Sequence, residues 1–332
     1  MTKCAELANL IGNINAGGGG VNRNIIINGA MNVAQRSTSE TNRGDDTGYY
    51  VVDRWKISTG SYQSGRLTLS QDSSAPLGFA NSAKFNCTTA DTSTASGDFL
   101  QFEQLIEGQN LQAFAKGTAD AKPFAVSFYV KGNASATYVC ELFDSDNSRN
   151  VSKSFTVGTD WERVELNFPA DTTGAFDDDN AESLNMQIWL HAGTTWSSGT
   201  LSETWTSNTN ANRAVGISSF YDSTDRTFFI TGVQMEVGSQ ASDFQHEDIG
   251  TTLAKCQRYF HKITSLLYGG YGADSAGDYS TIWFPTELRA TPTMTGVNSG
   301  STMQNVTKEF AQVYYVGGYS AWSSGATASA DL

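Results

Sequence analysis

The residues that most resemble a catalytic group form an acidic run. Asp177, Asp178 and Asp179 are consecutive in AFDDDNAE, and Glu182 follows them. Glycoside hydrolysis needs two carboxylates at a fixed distance across a sugar ring, one with a raised pKa, and adjacency in a sequence does not supply that geometry. An aspartate run between strands is instead typical of a solvated loop or a calcium loop. Because the sequence also lacks GxSxG, P-loop and EF-hand motifs, we predict no enzyme and no catalytic residue.

Two tryptophans in a long polar stretch indicate a second kind of chemistry. In HAGTTWSSGTLSETWTSNTNANR, Trp196 and Trp205 stand among Ser, Thr and Asn, where a core tryptophan is unusual. Flat indole faces stack on sugar rings, and Asn208 and Asn210 offer hydrogen bonds to hydroxyl groups. The alternative interpretation is that both tryptophans anchor this connection to the rest of the fold or lie at a subunit interface.

Tyrosine and glycine are concentrated near the C-terminus, in LYGGYGADSAGDY and YYVGGYSAW. Tyrosine offers rigid, amphipathic contact area at a low entropic cost, so such loops suit contact with a partner surface. We therefore add Tyr271 and Tyr319 to the candidate residues for glycan binding or for an interface.

Metal and redox chemistry are not indicated. The cysteines form no CxxC pair and the histidines have no second ligand at helical or hairpin spacing, so we predict free thiols, no metal site and no cofactor. The residues concerned are Cys4, Cys87, Cys140, Cys256, His191, His246 and His261.

Charge and hydropathy exclude two classes of partner. The formal net charge is −13 and the pI is about 4.6, whereas nucleic-acid binding needs clustered Lys and Arg. No apolar run approaches the ~20 residues that cross a bilayer. We expect neither nucleic-acid binding nor membrane insertion.

The N-terminal residues predict a short helix followed by a tether. Leu7, Leu10, Ile11 and Ile14 have the i, i+3, i+4, i+7 spacing of one apolar stripe, and glycines 17–20 end it. So short a helix is marginal alone in water. It is either a frayed tail or an attachment and oligomerisation helix, which would bundle with its copies or dock on another protein.

The rest of the chain reads as β structure. Period-two alternation recurs through residues 21–247, most clearly in FAVSFYV, with Gly, Asn, Asp and Ser clusters between the apolar runs. We predict an all-β fold, an antiparallel jelly roll or β-sandwich, whose first strand is Asn24–Ile27 and whose closing strand lies in FFITGVQMEV. Residues 248–332 predict a smaller β domain that begins with a short helix.

Several of these segments resemble bacteriophage tail-fibre and other virion proteins, whose domain of this kind is itself similar to jelly-roll carbohydrate-binding modules. The resemblance lies in NIIINGAMNVAQRST, GYYVVDRWKI, KPFAVSFYVKG, the VQMEVGSQASDF and AKCQRYF combination, FPTELRATPTMT and the terminal ASADL. It covers nearly the whole chain.

The resemblance implies a virion structural protein, a homotrimeric tail-fibre or neck-appendage subunit that contacts host surface glycan. Its partners would be copies of itself and portal, neck, tail or capsid proteins, and its location the virion, after assembly in the bacterial cytoplasm. The alternatives are a capsid decoration or head-fibre protein without a receptor role and, further off, a polysaccharide-cleaving enzyme. The resemblance also implies a structural calcium, but the usual acidic position near the last strand reads Thr231-Gly232 here.

Overall fold

The structure, a computed structural model, describes residues 23–60, 63–263, 266–268, 278–296, 301–315, 321–323 and 325–332. The predicted N-terminal helix, with Leu7, Leu10, Ile11 and Ile14, lies outside these residues. The chain divides into two units between His246 and Glu247, beside the domain boundary expected from the sequence. No helix among the described residues is long and apolar enough to span a membrane.

The first unit contains two antiparallel sheets, as the alternating sequence predicts. The six-stranded sheet has the order β1-β4-β5-β13-β7-β10. Its strands are β1 (Ser39–Arg43), β4 (Arg66–Asp72), β5 (Ser82–Thr89), β13 (Thr227–Val237), β7 (Phe124–Gly132) and β10 (Glu162–Phe168). The last long strand, β13, lies between β5 and β7, so residues far apart in the chain form the middle of this sheet.

The seven-stranded sheet has the order β12-β9-β8-β11-β6-β3-β2. Its strands are β12 (Thr206–Ser207), β9 (Arg149–Val157), β8 (Ala136–Asp144), β11 (Glu182–Ala192), β6 (Phe99–Glu107), β3 (Lys56–Thr59) and β2 (Gly48–Tyr49). Short helical turns join the strands of this unit: Gly108–Asn110, Gln112–Phe114, Thr194–Ser197, Asn210–Asn212 and Phe220–Asp222.

The apolar faces of the two sheets form one core. Phe124, Val126, Phe128 and Val130, the alternating side chains of FAVSFYV, are fully buried there. From the other sheet, the Phe102 ring stacks on Trp55 with centroids 4.7 Å apart. This arrangement confirms the all-β sandwich that the sequence predicts, because only period-two alternation places every second side chain between two sheets.

The predicted first strand is wrong. Residues 27–30 form a turn, and Asn28 has a positive φ of 58°. The segment nevertheless closes onto β13, because the Ile25 N–H donates to the Met235 carbonyl at 2.9 Å and the Val233 N–H donates to the Gly29 carbonyl at 2.9 Å. A Cβ on Gly29 would lie 2.0 Å from the Val233 oxygen, so this close approach requires glycine.

Two other segments differ from their sequence patterns. AVGISSFY has the alternating pattern of a strand but forms a connection that ends in the turn Phe220–Asp222. EGQNLQAFAKG, bounded by glycines, predicts a helix of about two turns but forms two 3₁₀ turns. The alternation in WERVELNF predicts a core position for Trp161, but Trp161 is half-buried just before β10, with its ring 6.1 Å from Phe229.

The second unit begins with the helix Ile249–Gln257, which Asp248 caps by accepting from the Gly250 N–H at 2.8 Å. Within the described part of this unit, antiparallel strands form three small sheets. The first sheet contains β14 (Phe260–Ile263), β21 (Ala326–Ser329) and β17 (Thr293–Thr295). The second sheet contains β15 (Leu266–Tyr268) and β20 (Ala321–Ser323). The third sheet contains β16 (Asp278–Trp283), β19 (Phe310–Tyr315) and β18 (Ser301–Gln304). Ile282, Leu288 and Val313 belong to its own core.

Candidate functional site

The outer face of the seven-stranded sheet carries polar side chains at positions where strands usually meet solvent. In β11, Met186 and Ile188 point into the core, so Asn185 and Gln187 point outward. The strand register places outward residues of four strands side by side. We call this surface the polar face; it consists of Gln101, Glu103, Glu141, Phe143, Asn150, Ser152, Asn185, Gln187 and Arg213.

Gln187 is the centre of a hydrogen-bond network on the polar face. Its amide nitrogen donates to Glu103 Oε2 at 2.9 Å, and its amide oxygen accepts from Gln101 at 3.1 Å and from Arg213 at 2.9 Å. Since each amide has one defined orientation in this network, the side chains are held in place before any ligand arrives.

Arg213 joins this network to the next strand. Its guanidinium bonds both oxygens of Glu141, with Nε 2.9 Å from Oε1, and the Trp189 indole also donates to Glu141 at 2.7 Å. Glu141 is fully buried, and Arg213 is 9% exposed. A buried carboxylate with an arginine fork and an indole N–H is well satisfied, so Glu141 has a structural role as a positioning residue.

Glu103 lies in a different environment. Burial raises the pKa of its carboxyl group, although the Ser58 hydroxyl, Lys56 and the Gln187 amide each oppose that shift. Ser58 donates to Glu103 Oε1, and Lys56 Nζ lies 3.8 Å away. With Lys56 beside Glu103 and Arg213 beside Glu141, neither carboxylate of the polar face is an isolated charge, which suits an uncharged polar ligand.

A connecting segment, residues 193–219, covers one end of this sheet face. Trp196 lies on it, with its ring 5.7 Å from Trp189 and 5.3 Å from Phe99, and its indole N–H donates to the Gly97 carbonyl at 3.2 Å. Trp196 is half-buried in a small apolar cluster with Val139, Trp189 and Ala214. It therefore anchors the connection, which is the alternative left open by the sequence.

Three side chains of the polar face, on β9 and β11, have unpaired polar atoms. Asn150, Ser152 and Asn185 carry buried side-chain polar atoms without a hydrogen-bond partner among the described residues. The register places Phe143 between Asn185 and Asn150, and Phe143 is half-buried with the Arg213 guanidinium 4.8 Å from its ring centre. Buried polar groups are almost always bonded, so these atoms need water or a ligand.

Trp205 is buried on the core side rather than on the polar face. Its indole donates to the Pro169 carbonyl at 2.8 Å, and its ring lies 5.7 Å from Phe124. The Lys116 ammonium stands 5.2 Å from the same ring and pairs with Asp144 and with Asp171, the latter at 3.2 Å. A buried indole with its N–H already bonded has no free face for a sugar.

The other predicted residues are dispersed. Asn210 is exposed, and Asn208 is half-buried with its amide nitrogen 3.4 Å from the Asn210 side-chain oxygen. The main-chain N–H of Asn208 donates to the Ser148 carbonyl at 2.9 Å, next to the start of β9. Tyr271 and Tyr319 lie outside the described residues, and their role stays a prediction.

The acidic run is an exposed turn. The side chains of Asp177, Asp178 and Asp179 face solvent, and the Asp179 carbonyl accepts from the Gln109 N–H at 2.9 Å. Within the described residues, no group of three or more His, Cys, Asp or Glu side chains could hold a metal ion. Thr231, at the position where the sequence resemblance implies an acidic residue, donates its hydroxyl to the Asn81 carbonyl at 2.7 Å.

Sequence reasoning missed the polar face, although a signal for it was present. In NMQIWLH and TYVCELF, every second residue is apolar and faces the core. The residues between them include Asn185, Gln187 and Glu141. Strands with amide or carboxylate residues at these positions can be recognised in a sequence. Which strands are neighbours, and therefore which polar residues meet, follows only from the register.

Comparisons with known proteins gave only distant structural similarity. No family model matches the chain, and no curated protein matches it. Among solved structures, the enzymatically active domain of bacteriophage CBA120 tailspike protein 4 is similar, with a TM-score of 0.33 and 14% identity over 65% of this chain. The match spans about a fifth of that tailspike chain, 21%.

Carbohydrate-binding modules are similar at the same level. The family 11 module from Clostridium thermocellum, in complex with a β-1,3-1,4-mixed-linked tetrasaccharide, gives a TM-score of 0.30 and 12% identity over 63% of this chain and 99% of its own. TmCBM61 in complex with β-1,4-galactotriose gives a TM-score of 0.34 and 9% identity, over 65% of this chain and 99% of its own. At these values the similarities assign neither a function nor a ligand to this chain.

Proposed function

We propose that this protein is a structural subunit of a bacteriophage virion, a homotrimeric tail-fibre or neck-appendage protein, and that its sandwich binds host surface glycan through the polar face. The observation that carries the glycan proposal is the group of unpaired polar atoms on Asn150, Ser152 and Asn185 around Phe143. Binding sites for small polar ligands combine an aromatic or apolar surface with a few fixed polar groups, and this face has both.

The chemistry favours an uncharged oligosaccharide. The unpaired atoms of Asn185 and Asn150 are buried beneath this surface, so a ligand hydroxyl has to enter beside Phe143 to reach them; a hydroxyl both donates and accepts, so it can satisfy either residue. Phe143 offers an apolar surface to the C–H face of a sugar. Glu103 and Glu141 are already paired, so the site provides no isolated charge for a charged sugar.

Glycan-array screening followed by calorimetry tests the binding proposal. Asn185→Ala removes one neutral hydrogen bond, which corresponds to roughly 2- to 10-fold weaker binding. Phe143→Ala removes the aromatic surface, and we expect about 10-fold weaker binding or more. Asn86→Ala is the matched control, because Asn86 is a half-buried asparagine on the six-stranded sheet. Equal affinities for Asn185→Ala and the control would contradict the site.

The virion assignment is supported by the sequence resemblance and by the anionic surface, since a net charge of −13 keeps copies apart in solution before assembly. Labelling the chain in images of intact particles tests it. Label on the tail or neck fits a fibre or appendage, label on the capsid fits the decoration or head-fibre alternative, and particles without label contradict a virion role. We propose binding without cleavage, so incubation with a bound polysaccharide releases no reducing ends.

A further inference from the structure

The three-stranded sheet β16-β19-β18 of the second unit has an aromatic outer face. Its inner face supplies Ile282, Ala311 and Val313 to the core of that unit, so the alternate residues point away from the core. The register sets Tyr279 opposite Tyr314, Thr281 opposite Gln312 and Trp283 opposite Phe310. β18 adds Thr302 opposite Tyr314 and Gln304 opposite Gln312. We call these eight residues the aromatic face.

The aromatic residues form two pairs that remain in contact with solvent. The ring centroids of Tyr279 and Tyr314 are 4.9 Å apart, and those of Trp283 and Phe310 are 5.2 Å apart. Tyr279 is 58% exposed and Trp283 is 70% exposed. Large aromatic side chains held this far out on a regular sheet mark an interaction surface, because nothing in the fold of the unit requires them there.

Amide and hydroxyl groups separate the two aromatic pairs. Gln312 donates to Thr281 Oγ1 at 3.4 Å and accepts from the Asn305 amide at 2.7 Å, while the Tyr279 hydroxyl lies 3.5 Å from Gln304 Oε1. These contacts link the polar residues to one another between the aromatic pairs. The face is therefore arranged in advance, which lowers the entropy lost when a partner binds.

Charge favours a second copy of this chain as the partner. None of the eight residues of the aromatic face is charged, although the chain has 34 acidic and 21 basic residues and a net charge of −13. Interface cores are depleted of charged residues and enriched in Tyr, Trp and Phe. An uncharged patch lets copies of an acidic protein meet without placing carboxylates opposite one another.

We infer that the aromatic face is the surface through which copies of this chain associate. The inference rests on the proposed self-association of the subunit, and it assigns that association to Tyr279, Trp283, Phe310 and Tyr314. It is independent of the glycan site, which lies on the other unit. Trp283, as the most exposed of these side chains, supplies the main contact.

Sedimentation velocity on the full chain over a range of concentrations tests this inference. We expect the wild type to be an oligomer. The double variant Tyr279→Ser, Trp283→Ser should dissociate at concentrations about 30-fold higher than those at which the wild type dissociates. Thr281→Glu is the second variant, because it adds a negative charge to the centre of the face at an exposed position without truncating an aromatic side chain. Leu77→Ser is the control, since Leu77 is fully exposed on the other unit.

The outcomes are distinct. A wild type that is monomeric at every concentration overturns both the proposed oligomer and this surface. A wild-type oligomer that survives both the double variant and Thr281→Glu overturns only the surface. Unchanged mass together with loss of glycan binding in the double variant would mean that the face is a sugar platform, which also overturns the inference. Dissociation of Thr281→Glu with an unchanged melting temperature supports it.

Discussion

Replacing Arg213 by methionine should destabilise the first unit strongly. Arg213 makes a bidentate ion pair with Glu141, with 2.9 Å between Nε and Oε1, and donates to Gln187 at 2.9 Å. In the Arg213→Met variant, Glu141 stays fully buried with the Trp189 indole as its remaining partner. Breaking a buried pair by removing one partner destabilises by about 4 kcal/mol, or about 10 °C in melting temperature for a unit of this size.

Urea unfolding and thermal melts measure this effect. The companion variant Arg213→Met, Glu141→Gln removes the uncompensated charge, so we expect it to recover most of the lost stability. Arg163→Met is the control, because Arg163 pairs with the largely exposed Glu165 on the other sheet, where such a pair contributes about 1 kcal/mol or less. An Arg213→Met variant no less stable than Arg163→Met would refute the view that this arginine holds the polar face together.

Three further predictions concern the same unit. Lys116→Met leaves Asp144 buried without a cation, while Asp171 keeps its ion pair with Arg149; the change should lower the melting temperature by about 10 °C, whereas Lys122→Met, at an exposed position, should leave it unchanged in the same melts. Trp205→Ala truncates a buried ring and should destabilise by about 3–5 kcal/mol in urea unfolding. Burial lowers the pKa of His191, and this effect exceeds the opposite effects of Asp91 and Asp98. The contribution of neutral His191 to stability is therefore complete above the unfolded-state pKa of about 6.5, and it is lost as the pH falls below that value. Stability of His191→Gln should vary less between pH 7 and pH 5, and an equal pH dependence in variant and wild type would contradict this assignment.

The strands of the sandwich could be predicted from the sequence wherever one face is apolar and the other carries small or polar residues. FAVSFYV alternates because β7 has one face in the core, and the prediction of its buried residues is confirmed. Asn24–Ile27 was wrongly predicted because three consecutive isoleucines have the composition of a strand. Here they belong to a segment that meets β13 through single backbone hydrogen bonds, one at Ile25 before a turn and one at Gly29 within it.

The candidate site could be predicted only in part. Sequence reasoning chose Trp196 and Trp205 because of their polar neighbours, but polar neighbours in a sequence do not show where an indole points. Both side chains anchor the connection through bonds to the Gly97 and Pro169 carbonyls. The polar face depends on β6, β11, β8 and β9 being adjacent, and this order arises from pairings between residues as far apart as Gln101 and Trp189.

Glycan binding by the polar face is tested most directly by calorimetric titration of the full chain with an oligosaccharide selected on an array. We predict measurable binding that weakens about 10-fold or more in Phe143→Ala and roughly 2- to 10-fold in Asn185→Ala, while Asn86→Ala binds as the wild type does. Wild-type affinity in folded Phe143→Ala and Asn185→Ala, or the absence of any bound glycan on an array of host surface polysaccharides, would contradict the proposal.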